Sequence, residues 1–433
     1  MKPKVLMLGW EFPPVINGGL GVASLGLAQA LAKDTDLTMI IPRSDPQFSL
    51  PGLELIGADS IKLKDLFQNG KEFESSLLET VHLEYVDVPL AGYEAPTLRV
   101  VQREVATETL TIERQTPVDT PVLPLTFALD ELYGDDLMRR IREFTTIVSR
   151  LAMEKEFDLI HAHDWMTFLA GLEIKAWSGK PLVVHVHSLE YDRSGPESRG
   201  FAWHLEKHAF EQADLVIPVS EYTGKIIEEK YEISPEKIFP VHNGIESIQY
   251  DRKPRPFPQK LVTFLGRITE QKAPETFLEV AWKVMEKYNQ VRFVMAGEGN
   301  LLGEMMEKVA RLKLGDRIHF TGFLSREETR ELLAMTDVLV MPSVSEPFGL
   351  VALEAAMMGV GCVISRQSGV SEVMPDALIA DHWDVEKMAE YTLALLEYPD
   401  MGKDLIDITQ KDISKITWEF AARNVMLGYQ KIL

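Results

Sequence analysis

The stretch PSVSEPFGLVALEAAMMG, residues 342 to 359, follows a run of four apolar residues, Val338-Leu339-Val340-Met341, and places two carboxylates in apolar surroundings. The run reads as a buried strand, the Pro/Ser segment as a loop, and the remainder as a helix with Pro347 at its favourable first position. Glu346 falls in the loop and Glu354 about two turns into the helix. Unpaired buried charge is costly, so both need a partner or a ligand. Gly349, Leu350 and Val351 would present backbone N–H groups at a helix N-terminus, a natural seat for phosphate.

The same strand–loop–helix rhythm extends on both sides. Strands are expected at residues 262–265, 292–295, 318–320, 338–341 and 362–364 with helices between them, which is a doubly wound domain. Towards the N-terminus, a strand at 5–8, a loop, the cluster Gly18-Gly19-Leu20-Gly21, a helix to about residue 33 and a strand at 37–41 open another. Helices at 134–154, 165–177 and 221–231 and strands at 158–160, 182–187 and 215–217 continue it. The segment 250–260, with three prolines and four basic residues, reads as the linker. The expected architecture is therefore α/β, with two doubly wound Rossmann-like domains, the first over 1–250 and the second over 251–415. A last helix, 416–433, lies outside the alternation and is expected to pack back on the first domain. Short alternating runs at 81–88 and 97–105 suggest strands or hairpins without a legible order.

At 433 residues the chain exceeds what one hydrophobic core usually organises. Its single cysteine, Cys362, excludes an intramolecular disulfide and a Cys-based zinc cluster. A formal net charge of −21 disfavours nucleic acid and anionic membranes as partners, and it means that a phosphate ligand needs locally placed cations. The most apolar run, 350–364, is broken by Glu354 and by glycines, so no membrane span is read. Glu11 comes too early for a secretory leader, and a cytoplasmic, soluble protein is expected.

Locally placed cations do occur. Gly266-Arg267-Ile-Thr-Glu-Gln-Lys272 follows the first strand of the second domain, so Arg267 and Lys272 lie on a strand-to-helix loop at the ligand-binding edge. An Arg fork and a Lys point charge suit a diphosphate; the plain alternative is two solvated surface cations. Glu346 and Glu354 make a poor glycosidase pair, because eight helical residues span roughly 12 Å, against about 5–9.5 Å between hydrolase carboxylates. They suit opposite ends of one long ligand. Gly19-x-Gly21-x-x-Ser24 fits a dinucleotide fingerprint badly, since the loop from Trp10 to Asn17 separates it from the strand. His187 falls at the carboxyl end of a strand, where parallel sheets bind ligands; a satisfied core histidine is the alternative. His161, His163 and His185 read as packing or supporting residues, with a metal cluster the lesser reading. The loop from Ser188 to Arg199 is polar and could cover a cleft. Asp34-Thr35-Asp36 reads as a turn rather than a metal-binding DxD.

Glu346-Pro-Phe-Gly-Leu-Val-Ala-Leu-Glu354 resembles the E-x7-E motif of retaining, two-Rossmann-domain (GT-B) glycosyltransferases, and Gly266-Arg267 with Lys272 resembles their phosphate-binding loop. WEFPPVINGGLGVA and HAHDW resemble the glycogen/starch synthase branch. The resemblance implies a catalytic set of His187, Glu346, Arg267, Lys272 and Asp164. It also implies a nucleotide-sugar site of Gly18, Gly19, Arg267, Lys272, Gly349, Leu350, Val351 and Glu354. Arg267 and Lys272 would bind the diphosphate, Glu346 the sugar hydroxyls, Glu354 the ribose and His187 the region of the 6-hydroxyl. Asp164 would lie close to the reacting region. No cofactor or metal is implied. The partners are a nucleotide sugar (UDP- or ADP-glucose) and a glucan or other carbohydrate acceptor. Ile16-Asn17 stands where ADP-glucose synthases typically carry Lys-Thr, which leaves the donor base open. Alternatives are hexose transfer to a small acceptor, as in trehalose, sucrose-phosphate or cell-envelope glycan synthesis, and a catalytically silent sugar-nucleotide-binding protein.

Overall fold

The computed structural model describes residues 2–14, 18–60, 136–246 and 255–433. The runs expected to be strands at 81–88 and 97–105, together with Ile16-Asn17 and part of the 250–260 linker, lie outside the described residues.

The described chain forms two six-stranded sheets, parallel at every strand pair. The first contains β1 (Lys4–Leu8), β2 (Asp36–Ile41), β3 (Leu53–Gly57), β4 (Leu159–His163), β5 (Leu182–Val186) and β6 (Leu215–Pro218) in the order β3-β2-β1-β4-β5-β6. The second contains β7 (Lys260–Leu265), β8 (Val291–Ala296), β9 (Ile318–Gly322), β10 (Val338–Met341), β11 (Gly361–Ser365) and β12 (Leu378–Ala380) in the order β12-β11-β10-β7-β8-β9. Each is the Rossmann order, with the chain reversing direction between β1 and β4 and between β7 and β10, the switch points at which such sheets bind ligands. Two strands went unread in the sequence, β3 and β12. Both are edge strands: β3 is interrupted by Glu54, and β12 is only three residues long.

The central strands are buried along their whole length: β10 is Val-Leu-Val-Met, and β4 buries Leu-Ile-His-Ala-His, two imidazoles included. Helices cover both faces of each sheet. The helix Trp418–Gln430 follows the second domain in sequence but completes the core of the first, where Trp418, Val425 and Tyr429 pack with Val5, Met7, Leu27 and Leu31. Gly26 makes this docking possible, since a Cβ there would lie 2.2 Å from the Trp418 ring.

Loops at the carboxyl ends of the two sheets meet. Ser220 donates to the Pro347 carbonyl (2.6 Å), and the Glu372 carboxylate accepts from the amides of Glu221 (3.0 Å) and Tyr222 (2.7 Å). His242 Nε2 approaches the same carboxylate at 2.6 Å. The Glu221–Tyr231 helix is thus capped by a carboxylate of the other domain. These contacts set the two carboxyl edges opposite one another, as the α/β, doubly wound reading expects. Among the described residues no helix is long and apolar enough to cross a membrane.

Candidate active site

The loop after β7 carries the cations. Its first residue, Gly266, lies against Gly297 so closely that a Cβ on Gly297 (φ 132°) would sit 1.9 Å from the Gly266 carbonyl oxygen. The loop then forms a short 3-10 turn, Glu270–Lys272, before the helix Pro274–Lys287. Gln271, which sequence reading passed over, joins this loop to the one after β10. Its Oε1 accepts from Arg267 Nη2 (3.1 Å), its Nε2 donates to the Ser345 carbonyl (3.0 Å), and its own carbonyl accepts from the Val344 amide (2.9 Å). Next to it, Lys272 Nζ and Glu346 Oε2 form an ion pair. Ser343 Oγ also donates to Glu346 Oε2 (3.3 Å). Glu346 is buried, and its backbone bridges to the loop after β11 through Glu346 N–Gln367 O (2.9 Å) and Gly369 N–Glu346 O (3.0 Å).

The helix of the opening motif starts three residues later than the sequence suggests. It spans Leu350–Met357, with Gly349 as its N-cap at φ 106° and Pro347 in the preceding loop. Pro347 serves there as an acceptor for Ser220 and Thr223 instead of as a helix start. The estimate of the Glu346–Glu354 separation assumed continuous helix and does not hold over 346–349. Glu354 lies one turn into the helix, partly covered; burial raises its carboxyl, while Arg326 and Arg330 act in the opposite sense. The amides of Leu350 and Val351 stand in the first helical turn, where no intrahelical acceptor reaches them.

Across the interface, Asp164 follows β4 at φ 58°, ψ 164°. That conformation is sparsely populated for a non-glycine residue and costs of order 1–3 kcal/mol. The surroundings hold it. Asp164 Oδ1 accepts from the amides of His187 (2.6 Å) and Ser188 (3.3 Å), and its own amide donates to the His185 carbonyl (2.9 Å). Burial pushes its carboxyl up to about 7, against the pull of the His187 amide and Arg193. The structure therefore sets Asp164 to orient the backbone at the mouth of β5.

His187 joins a ladder of four imidazoles. β4 and β5 pair so that His163 opposes His185, and the rings stack, with His161–His163 centroids 4.5 Å apart at 4° and His185–His187 4.5 Å apart at 15°. His163 Nδ1 faces His187 Nε2 (2.9 Å), His161 Nε2 faces His185 Nδ1 (3.0 Å), and His161 Nδ1 faces the Tyr429 hydroxyl (2.5 Å). Burial lowers all four, His161 and His187 to about 3, so each is a neutral ring with one N–H and one lone pair at neutral pH. Nitrogens of His161, His163 and His185 lie within 4.8 Å of one another. Lone pairs of stacked rings lie in parallel planes, whereas a metal needs them to converge. His187 Nδ1 is buried without a protein partner, and a ligand or water must satisfy it.

Gly18 and Gly19 open the Gly19–Leu31 helix, with Gly18 as N-cap. That N-terminus already receives a carboxylate: Glu11 Oε2 accepts from Gly21 N (3.2 Å), and a Cβ on Gly18 would lie 2.5 Å from it. Glu11 is a second residue that sequence reading did not place.

The polar segment from Ser188 to Arg199, expected to be able to cover a cleft, is buried over Leu189, Glu190, Asp192 and Arg193 and exposed at Pro196, Glu197 and Arg199. It contains a short helix, Glu190–Ser194, in which Glu190, Asp192 and Arg193 are buried. Arg193 bonds to Glu206 (2.7 Å), Glu190 (3.3 Å) and Ser188 Oγ (2.7 Å), and the Tyr231 hydroxyl donates to Glu206 (2.6 Å). Arg193 is the one cation against two carboxylates in this cluster, and neutral donors (the Tyr231 and Ser194 hydroxyls and the Glu190 amide) complete the carboxylates' hydrogen bonding. Burial pushes Glu206 up to about 7 and Asp192 up to about 6. Asp192 Oδ1 accepts from Ser345 Oγ of the other domain (2.5 Å).

Comparison with known proteins adds to this geometry. A family model described as "Glycosyl transferases group 1" matches residues 248–412, and one described as "Glycosyltransferase Family 4" matches residues 108–247. An uncharacterised glycosyltransferase of Methanocaldococcus jannaschii is 25% identical over 99% of this chain and 98% of its own. The alpha-maltose-1-phosphate synthase of Mycolicibacterium smegmatis is 27% identical over 63% of this chain and 79% of its own. Among solved structures, the catalytic domain of starch synthase IV from Arabidopsis thaliana, bound to ADP and acarbose, superimposes with a TM-score of 0.69 at 15% identity, covering 100% of this chain and 99% of that one.

Proposed function

The chain belongs to the group 1 glycosyltransferases, and on that premise we propose that it transfers glucose from a nucleotide sugar to an α-glucan, with retention and without a metal. The observation that carries the reading is that one loop at the switch point of the second sheet bears both Lys272, paired with Glu346, and Arg267, bonded to Gln271 beside it. Two fixed cations on a strand-to-helix loop are what a diphosphate leaving group needs, and they can carry the charge that a divalent ion would otherwise balance.

Each residue then has a task. Arg267 and Lys272 bind the diphosphate, aided by first-turn amides of the Leu350–Met357 helix; the Gly18-Gly19 turn can join them only if Glu11, which occupies that helix N-terminus, turns away. Glu346 contacts the sugar hydroxyls, which places the Lys272 ion pair between sugar and phosphate. Glu354 holds the ribose, and His187 the region of the 6-hydroxyl. Asp164 acts through the backbone of His187 and Ser188. The bond from the anomeric carbon to the phosphate oxygen breaks, and its electron pair stays on the phosphate. The acceptor oxygen bonds to the same face of the sugar, and its proton passes to the departing phosphate oxygen. Fixed charges stabilise the developing anion as the oxocarbenium-like sugar forms.

The glucose and α-glucan parts draw on the relatives: one makes an α-maltose derivative and another is a starch synthase bound to ADP and acarbose. The test is nucleotide release from a panel of UDP- and ADP-sugars, with glycogen, with small sugar acceptors and with none. Release from a glucose donor that requires glycogen supports the proposal. Release only with a small acceptor transfers the reading to small-acceptor synthesis. Release with no combination, alongside nucleotide binding, indicates a silent binder.

A further inference from the structure

Ser345 immediately precedes Glu346 and is held from two directions. Its carbonyl accepts from Gln271 Nε2 (3.0 Å), within the second domain. Its hydroxyl donates to Asp192 Oδ1 (2.5 Å) and lies 3.1 Å from the Tyr222 hydroxyl, both in the first domain. Asp192 and Ser345 are 4% and 5% exposed, so this is a dry contact, where a polar group that loses its partner is heavily penalised. Nor is Asp192 a loose surface carboxylate that happens to reach across. Its other oxygen, Oδ2, accepts from the Leu189 amide (2.8 Å), and the next residue, Arg193, is anchored in the buried cluster with Glu190 and Glu206.

A continuous bonded path results: from the Arg193–Glu206 cluster to Asp192, to the Ser345 hydroxyl, through the Ser345 carbonyl to Gln271, and on to Arg267 Nη2. Glu346 is attached covalently to the middle of that path. Contact between apolar surfaces would hold two domains together equally well without demanding a particular geometry. A charged hydrogen bond is short and directional, and it specifies where the Ser345 backbone must lie.

The geometry points to Asp192 and Ser345 as positioning residues: their hydrogen bond across the domains sets the placement of Glu346 and of the Gln271–Arg267 loop. The sugar-donor side takes its working geometry when the first domain is docked on it. This rests on the reading of Arg267, Lys272 and Glu346 as the nucleotide-sugar site. Neither Asp192 nor Ser345 needs to touch substrate; they act through Glu346 and Arg267, so their loss lowers donor binding and turnover together.

The test uses the full chain and two readouts. In steady-state transfer, Ser345→Ala is expected to lower kcat about tenfold or more and to raise the KM for the sugar donor as well. Ser345→Thr, which keeps the hydroxyl, restores most of the rate. Asp192→Ala gives the same loss, and the double variant is no worse than either single one. In hydrogen–deuterium exchange, Ser345→Ala and Asp192→Ala speed exchange in residues 266–272 and 342–349 and leave the Leu302–Arg311 helix unchanged. Unaltered kcat in Ser345→Ala, strictly additive losses, or unaltered exchange in the two loops each overturn the proposal. A wild-type chain with no transfer activity overturns the functional reading, and the exchange measurement still decides the positioning claim.

Discussion

Lys272 and Glu346, 74 residues apart in sequence, form an ion pair between the loops after β7 and β10, with 20% and 9% of their side chains exposed. Removing one partner leaves the other charge in a poorly hydrated place, while solvent reaching Lys272 moderates the cost. Lys272→Ala is expected to cut the transfer rate about a hundredfold or more, the scale found when a fixed charge-stabilising donor is lost. Glu346→Gln keeps hydrogen-bonding capacity and is expected to stay folded while losing turnover. Steady-state kinetics and thermal unfolding of both variants check this pair.

Asp164 distinguishes a backbone role from a charge role. Both amide bonds, from His187 and Ser188, go to one oxygen, Oδ1, which an asparagine side chain retains. Asp164→Asn is therefore expected to keep kcat within about tenfold and Asp164→Ala to lose roughly a hundredfold or more. Equal losses in the two variants would mean that the carboxylate charge itself is needed.

The imidazole ladder makes a signed prediction about pH. Burial holds His161 at about 3 in the folded chain, against about 6.5 unfolded. At low pH the unfolded chain takes up a proton that the folded one refuses. The stability His161 supports is thus present above about pH 6.5 and is lost as pH falls towards 3. His161→Gln removes this penalty. Its cost relative to wild type should shrink by about 2 kcal/mol between pH 7.5 and pH 5. Urea denaturation at the two pH values measures the difference, and a constant cost would show that His161 titrates normally.

Two glycines test how closely the cation loop is packed. A Cβ at Gly297 would meet the Gly266 carbonyl at 1.9 Å and would require φ 132°, whereas at Gly303, inside the helix Leu302–Arg311, it would meet nothing within 4 Å. Gly297→Ala should destabilise the chain by more than about 1 kcal/mol and weaken nucleotide binding by displacing Gly266 and Arg267. Gly303→Ala should be neutral or stabilise by about 0.5–1 kcal/mol. Thermal unfolding and nucleotide titration of each variant separate the two outcomes.

Much of this architecture was legible because it is local. Val338 to Met341 is a continuous apolar run, and a strand buried on both faces has little alternative. Arg267, Lys272, Glu346 and His187 could be singled out because loops at carboxyl ends of parallel strands are where ligands sit. What stayed hidden depends on pairings distant in sequence. Gln271 matters through Ser345, and Ser345 through Asp192, 153 residues away. The histidines at 161 and 163 and at 185 and 187 share strand faces in any reading, yet their ladder exists only because β4 and β5 are neighbours in a particular register. The late helix start at Leu350 was masked by Pro347, whose preference for a first helical position is real but is overridden by its contact with Ser220 and by the left-handed turn at Gly349.

The most direct test of the central claim, that Arg267 and Lys272 seat the diphosphate of the sugar donor, is calorimetric titration of UDP and of ADP in the presence of EDTA. Wild type, Arg267→Ala and Lys272→Ala would be compared under one condition. The account predicts that wild type binds at least one of the two nucleotides without a divalent ion and that each variant binds it at least about tenfold more weakly. Undiminished binding in both variants, or wild-type binding that appears only when a divalent cation is restored, would contradict it.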